Sequence, residues 1–327
     1  MPAGATTEAL GTTNAFYGLA IASGAALVSQ GVPNAPNWCA QYNMVQEQPT
    51  NGWVRATNGL VLSEFLGASP RSTIYCRLTD FSVPSLDVPA FNAMTNIGPF
   101  TFQDCEFHGG QLLSAGPSFN LTNCLLERAI ASLCPNDTLA SAVQNCLVRG
   151  GALTNYPTNT TNCTISDSLF DSPLLANWSG YSGGYNAYVT CSLQPKQPGD
   201  TNLSASPAYQ VGTLGNYYLL TNSGLANVGS TTANLVGLYH YTLVNVLQTN
   251  GLQIKETNSI VDIGYHYVAT DASGNPICTP GDGIPDYLAD TNGDGVYDAG
   301  DLCNWQAYTS PNALTNTSGL VVFTPLH

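Results

Sequence analysis

The chain has 327 residues, with 7 Lys and Arg against 21 Asp and Glu and a formal net charge of -14. That balance excludes nucleic acid as a partner, because phosphate binding needs clustered Lys and Arg, and it disfavours anionic membrane surfaces for the same reason. Charged residues make up only 9% of the chain, so Asn, Thr, Ser, Gln and Gly must supply the polar surface; scarce helix formers beside abundant Thr, Val, Tyr, Asn and Gly predict an all-β fold.

The opening MPAGATTEALGTTNAF has no basic start followed by an apolar core, so no secretory leader is visible. No run of 18 apolar residues occurs, so no membrane insertion is expected. Ten cysteines without a single CxxC pair argue against a zinc ribbon, and their even number argues for an oxidising compartment. The expectation is a mature or trimmed piece of a secreted or cell-surface protein. Seven Asn-X-Ser/Thr sequons, among them Asn120, Asn136 and Asn159, are expected on surface loops.

Residues 19–31 (LAIASGAALVSQG) and 72–83 (STIYCRLTDFSV) read as irregular coils of a solenoid. A regular repeat follows. The segments TFQDCEFHGG, FNLTNCLLERA, AVQNCLVRGG and TISDSLFDSP align on Cys105, Cys124, Cys146 and Ser168, at spacings of 19, 22 and 22 residues. That is the length of one coil of a parallel β-helix, so residues 1–200 are assigned to its coils. Strand alternation points the anchor column and the column Phe107, Leu126, Val148 and Phe170 inward. The anchor cysteines are expected as buried free thiols, with a disulfide between adjacent rungs as the alternative. The preceding column, Asp104, Asn123, Asn145 and Asp167, is expected at the corner or outer face.

Three places after each anchor, His108, Glu127, Arg149 and Asp171 would face outward in a line, with Glu106 beside His108. Two readings stand. In one this line is a substrate groove with carboxylates as acid and base and Arg149 holding developing charge. In the other it is a solvated sheet face with complementary charges on neighbouring rungs.

Residues 201–268 are rich in aromatics and read as closing coils or a cap over the open end of the solenoid. His240 and His266 lie among those aromatics, where a hydrogen-bonded structural role is expected.

Residues 269–305 carry a cation motif. Counted from Asp290, the ligand positions of an EF-hand-type loop are all filled: Asp290, Asn292, Asp294, the Val296 carbonyl, Asp298 and Asp301, with Gly295 at the sharp turn. Hard oxygen ligands in that number favour Ca²⁺. The last ligand is Asp, as in the dockerin and thrombospondin type 3 loops that this stretch resembles. One register upstream the positions are degraded, which leaves only Asp282 and Asp286 to contribute to a shared second site. Cys278 and Cys303 bracket the segment; a disulfide there would close a loop of about 25 residues and stabilise by ~3 kcal/mol. Residues 306–327 are read as a tail.

The stretches FQDCEFHGG, SPAYQVGTLGNYYLLTNSGLANVGSTTANLVGLYHYT and KETNSIVDIGYHYVATDASGNPI, with GDGIPDYLADTNGDG after them, carry a resemblance to a family of large secreted bacterial proteins. These are similar to the right-handed parallel β-helix, or pectin-lyase-like, superfamily. The resemblance covers most of the chain and is most specific from about residue 205 to 300. It implies a right-handed parallel β-helix at the bacterial surface or outside the cell, and no particular activity.

Three functions are carried forward. The first is a surface, adhesion or matrix component with structural calcium, binding a glycan or extracellular matrix. The second is a polysaccharide hydrolase or lyase acting in a groove on the outer face. The third is self-assembly, a homo-oligomer or filament formed by end-to-end stacking.

Overall fold

The computed structural model describes residues 19–20, 24–40, 61–63, 73–83, 89–93, 99–114, 119–133, 140–155, 163–176, 181–191 and 197–314. The sequons at Asn136 and Asn159, and the tail beyond residue 314, lie outside these.

Every coil turns through three short strands, and each strand pairs in parallel with its counterpart one coil away, building three sheets of seven, seven and eight strands. The first sheet runs from Leu19–Ala20 to Leu174–Ala176, and the second from Ala26–Gln30 to Tyr181–Gly184. The third runs from Asn37–Ala40 through Glu106–His108, Leu125–Glu127, Leu147–Arg149 and Leu169–Asp171 to Thr201–Leu203. This is the parallel β-solenoid that the repeat predicts. Residues 19–31 and 72–83 supply strands to it, as expected of early coils.

The corner between the second and third sheets explains the repeat. Asp104, Asn123, Asn145 and Asp167 have φ of 54°, 50°, 51° and 53°. This left-handed conformation is costly for most side chains but is tolerated by Asn and Asp. One left-handed residue between two strands turns the chain sharply enough for the next strand to join a different sheet.

The residue after the corner completes it. Cys105, Cys124 and Cys146 donate Sγ–H to the carbonyls of Gln103, Thr122 and Gln144 at 3.3–3.4 Å, and Ser168 Oγ does the same to Ser166 at 2.9 Å. A small side chain with one donor suits this position: the carbonyl before the corner already accepts a main-chain amide from the neighbouring coil, and the buried thiol or hydroxyl finds an acceptor there for its own proton. All four anchors are fully buried, as are Phe107, Leu126, Val148 and Phe170. The nine cysteines described are all free thiols. Burial holds Cys163 up at about 12 and raises Cys124 well above its usual value, so neither forms a thiolate near neutrality.

Two expectations are corrected here. Cys278 and Cys303 are free, and the Cys278 thiol donates instead to Asp282 Oδ1 at 3.3 Å. Asn120 lies in the strand Phe119–Thr122 and not on a loop.

After the strand Thr201–Leu203 closes the third sheet, residues from the segment 209–267 pack against that sheet's outward face. Leu125, Leu147, Leu169 and Ala187 point away from the coil interior, yet they are buried against Tyr217, Tyr218, Leu243 and Ile263 of that segment. The corner ladder is buried with them. Asn123 Nδ2 donates to the His266 carbonyl at 2.8 Å, and its Oδ1 accepts the His266 amide at 2.7 Å. Asp167 accepts the Ser230 amide and hydroxyl at 2.6 and 2.7 Å. Asp104 accepts from Arg77 Nε at 3.0 Å and from the Tyr241 hydroxyl at 2.8 Å. The same polar side chains that tolerate the corner therefore hold the flanking segment.

Asn123→Ala removes both the tolerance and the clamp, leaving the His266 amide and carbonyl without these partners. Destabilisation on the order of 3 kcal/mol is expected, while Asn123→Gly, which keeps the turn, should lose clearly less. Urea unfolding of both variants measures the difference.

Candidate functional site

Parallel register stacks the outward column of the third sheet as the sequence predicts. Ser82 pairs with His108, His108 with Glu127, Glu127 with Arg149, and Arg149 with Asp171. All five candidates, Glu106, His108, Glu127, Arg149 and Asp171, are thus brought together in one ladder.

Its centre is His108. Nδ1 lies 2.9 Å from Glu127 Oε2, Nε2 lies 3.1 Å from Glu106 Oε2, and Asp80 Oδ2 is 3.8 Å from Nε2. Burial alone would lower the imidazole pKa, but Glu106, Asp80 and Glu127 override it and raise it to about 9. His108 is therefore a cation at neutral pH, with both ring nitrogens donating. Burial would likewise raise Glu127, but bonds from the Tyr217 hydroxyl and His108 hold it below its ordinary range. At Asp80 burial wins, and its pKa is raised against the pull of His108.

Arg149 bridges the next two rungs, 3.6 Å from Glu127 Oε1 and 3.4 Å from Asp171 Oδ2. Its guanidinium lies 5.4 and 5.6 Å from the ring centres of Tyr209 and Tyr217. Asp171 is only 2% exposed and accepts the Ser206 and Tyr209 hydroxyls at 2.6 and 2.9 Å. Tyr265 donates to Glu106 Oε1 at 3.2 Å. Much of the ladder is therefore covered by hydroxyls and rings from the flanking segment. Glu127 and Asp171 spend their oxygens on holding that cover, an arrangement suited to clamping the two layers together.

An open cleft adjoins the ladder at the Asp80 end. It has a volume of about 320 Å³ and is walled by Trp38, Asp80, Glu106, Tyr241, Tyr265 and Tyr267, among others. Trp38 is 66% exposed. Among the described residues no Lys or Arg lines the cleft. Sequence reasoning missed Asp80 and Trp38 because both lie in the irregular early coils, where the repeat cannot be aligned. It missed the cover too, although Leu125, Leu147 and Leu169 at an outward position were a readable signal of it.

In the acidic loop, Asp290 is fully buried and accepts the amides of Gly293, Asp294 and Gly295 together with His240 Nε2–H at 2.8 Å. Lys255 Nζ donates to His240 Nδ1 at 3.2 Å and to Asp286 at 2.6 Å, so His240 is an internal hydrogen-bond bridge. Gly293 and Gly295 supply the positive φ that the turn requires, 70° and 78°. Asn292 and Asp294 are paired with each other, Asp294 and Asp298 accept the Val296 and Gly300 amides, and Asp301 accepts the Thr291 and Asp298 amides. The fit to a cation is partial: the turn is formed, while the side-chain oxygens serve loop amides. Asp282 accepts the Ile284 and Thr309 amides, and Asp286 caps Thr279.

Among the described residues, two groups bring three ligand-type atoms within 4.8 Å of one another: Asp80, Glu106 and His108, and Glu256, Asp262 and His266. No protein-family model, curated protein or solved structure matches the chain.

The raised His108 pKa gives a signed prediction. Its contribution to stability is complete below about 6.5 and is lost as pH rises through about 9. Thermal melts from pH 6 to 10 should show a loss on the order of 2 kcal/mol that His108→Gln flattens, after allowing for exposure of part of the ladder.

Proposed function

We propose that this chain is an extracellular or cell-surface binding protein of the pectin-lyase-like β-helix type, and that it takes a neutral glycan in the cleft beside Trp38. The observation that carries this reading is an exposed indole that shares a concavity with Asp80, Asp104 and Glu106, with no Lys or Arg among the described lining residues. An aromatic face stacks on the apolar face of a sugar, and carboxylates accept its hydroxyls. The absence of Lys and Arg from the lining, with a net charge of -14, works against acidic sugars. A volume of about 320 Å³ is at the small end of ligand sites, which suits one or two sugar units.

Titration calorimetry against a panel of neutral oligosaccharides tests it. Trp38→Ala should weaken binding at least tenfold without altering the melt, while Asp80→Asn should weaken binding and also lower the melt by loosening the His108 cluster. Equal binding by Trp38→Ala would remove the reading.

A hydrolase reading is favoured by one distance. One carboxylate oxygen of Asp80 and one of Glu106 lie no more than 4.8 Å apart, so the two groups are not farther apart than the ~5 Å pair of retaining glycosidases. The raised Asp80 would be the acid and Glu106 the nucleophile. In that case Glu106→Gln abolishes turnover of an aryl glycoside and retains binding; a panel without turnover by the parent protein leaves binding as the function.

For the loop, the proposal is a structural Ca²⁺ held by Asp290, Asn292, Asp294, the Val296 carbonyl, Asp298 and Asp301. It rests on the complete ligand register. Chelation should lower the melting temperature by several degrees, and Asp298→Asn should abolish the response to added calcium.

A further inference from the structure

Glu256, Asp262 and His266 belong to the flanking segment and are 6%, 4% and 1% exposed. They meet outside the ladder, with one ligand-type atom of each within 4.8 Å of the other two. The His266 Nδ1 lies 2.9 Å from the Gly264 carbonyl, so Nδ1 carries a proton. Its Nε2 is buried, has no hydrogen-bond partner, and stands 3.4 Å from Glu256 Oε1. Glu256 and Asp262 hold the imidazole pKa above its ordinary value despite burial, so the cluster draws positive charge to its centre, a proton or a metal ion.

The surroundings are those of an oriented ligand set. The Ser259 hydroxyl donates to the Glu256 main-chain carbonyl at 2.6 Å and lies 3.1 Å from Glu256 Oε2, and Asp262 Oδ1 accepts the Asn227 amide at 2.6 Å. Asp262 thus has one oxygen anchored from outside, and the imidazole is anchored by a main-chain carbonyl, the usual outer support of metal ligands. Two donors bound at ~2.0–2.1 Å to a tetrahedral ion stand ~3.3 Å apart, close to the 3.4 Å observed between His266 and Glu256. An imidazole in the set selects against Ca²⁺ and Mg²⁺, which take oxygen, and for the zinc class.

We infer that Glu256, Asp262 and His266 form a binding site for one divalent transition-metal ion of the zinc type. The ion fixes residues 256–266 in the conformation that meets the corner ladder. Both ends of the site touch that ladder, through the His266 main chain on Asn123 and the Asp262 carbonyl on Asn145 Nδ2 at 3.3 Å.

The test uses the full chain, stripped with a chelator and then reloaded with zinc alone. The expected result is one tightly held zinc, a higher melting temperature, and an X-ray absorption shell of one imidazole nitrogen with carboxylate oxygens. Asp262→Asn and Glu256→Gln, which keep size and shape, should lower zinc affinity by about 100-fold or more. No retained zinc would mean that the triad holds protons only, and would overturn the inference. So would an all-oxygen shell, which would place the zinc in the acidic loop, or Asp262→Asn binding as tightly as the parent. If neither variant folds, the absorption shell of the parent protein decides alone.

Discussion

A left-handed residue at the corner between the second and third sheets is the constraint on which the rest of this molecule depends. Leu78 and Tyr185 hold that corner on the outer coils at φ of 50° and 57°; on the four coils between them Asp104, Asn123, Asn145 and Asp167 turn the chain, residue types that tolerate this conformation better than most. Their side chains are then left pointing out of the coil, at a corner shared by successive rungs. Such groups could simply be hydrated. Here they are buried, and each finds its partner in the segment from residue 227 to 268. A local requirement of the backbone thereby supplies the long-range specificity that seats a second layer on the solenoid.

Three of the four Lys and Arg among the described residues, Arg77, Arg149 and Lys255, join that C-terminal region. Arg77 binds Asp104 and the Tyr241 hydroxyl while lying 5.4 Å from the Tyr287 ring. Arg149 binds Glu127 and Asp171 beneath Tyr209 and Tyr217, and Lys255 joins Asp286 and His240 beside Trp305. Each pairs a carboxylate with an aromatic face, so the cation is held without full hydration. With 21 acidic groups in the chain, this placement leaves the cleft at Asp80 and Glu106 without a Lys or Arg among its described lining residues.

The solenoid was legible because its signal is periodic. Four aligned segments placed Cys105, Phe107 and His108, with their counterparts on the next three rungs, in the correct columns and on the correct faces. The covering layer was less legible because its contacts join distant positions without a period; Arg77 reaches Tyr241 across 164 residues. One clue was present in the sequence. An outward column of Leu125, Leu147 and Leu169 is unfavourable on a solvated sheet and implies a lid over it. The Cys278–Cys303 pairing failed because an even count and a bracketing position carry no information on where thiols point. Glu256, Asp262 and His266 escaped notice because irregular backbone, and no motif spacing, brings them together.

The central claim is that solenoid and flanking segment form one cooperative structure through the corner ladder. Native-state hydrogen exchange of the full chain tests it directly, by comparing amides of the strands Leu125–Glu127 and Leu147–Arg149 with those at 261–269. The account predicts that both sets open together, with the same free energy and the same dependence on denaturant. Exchange of residues 261–269 at a free energy lower by about 2 kcal/mol or more, with the third sheet still protected, would contradict it.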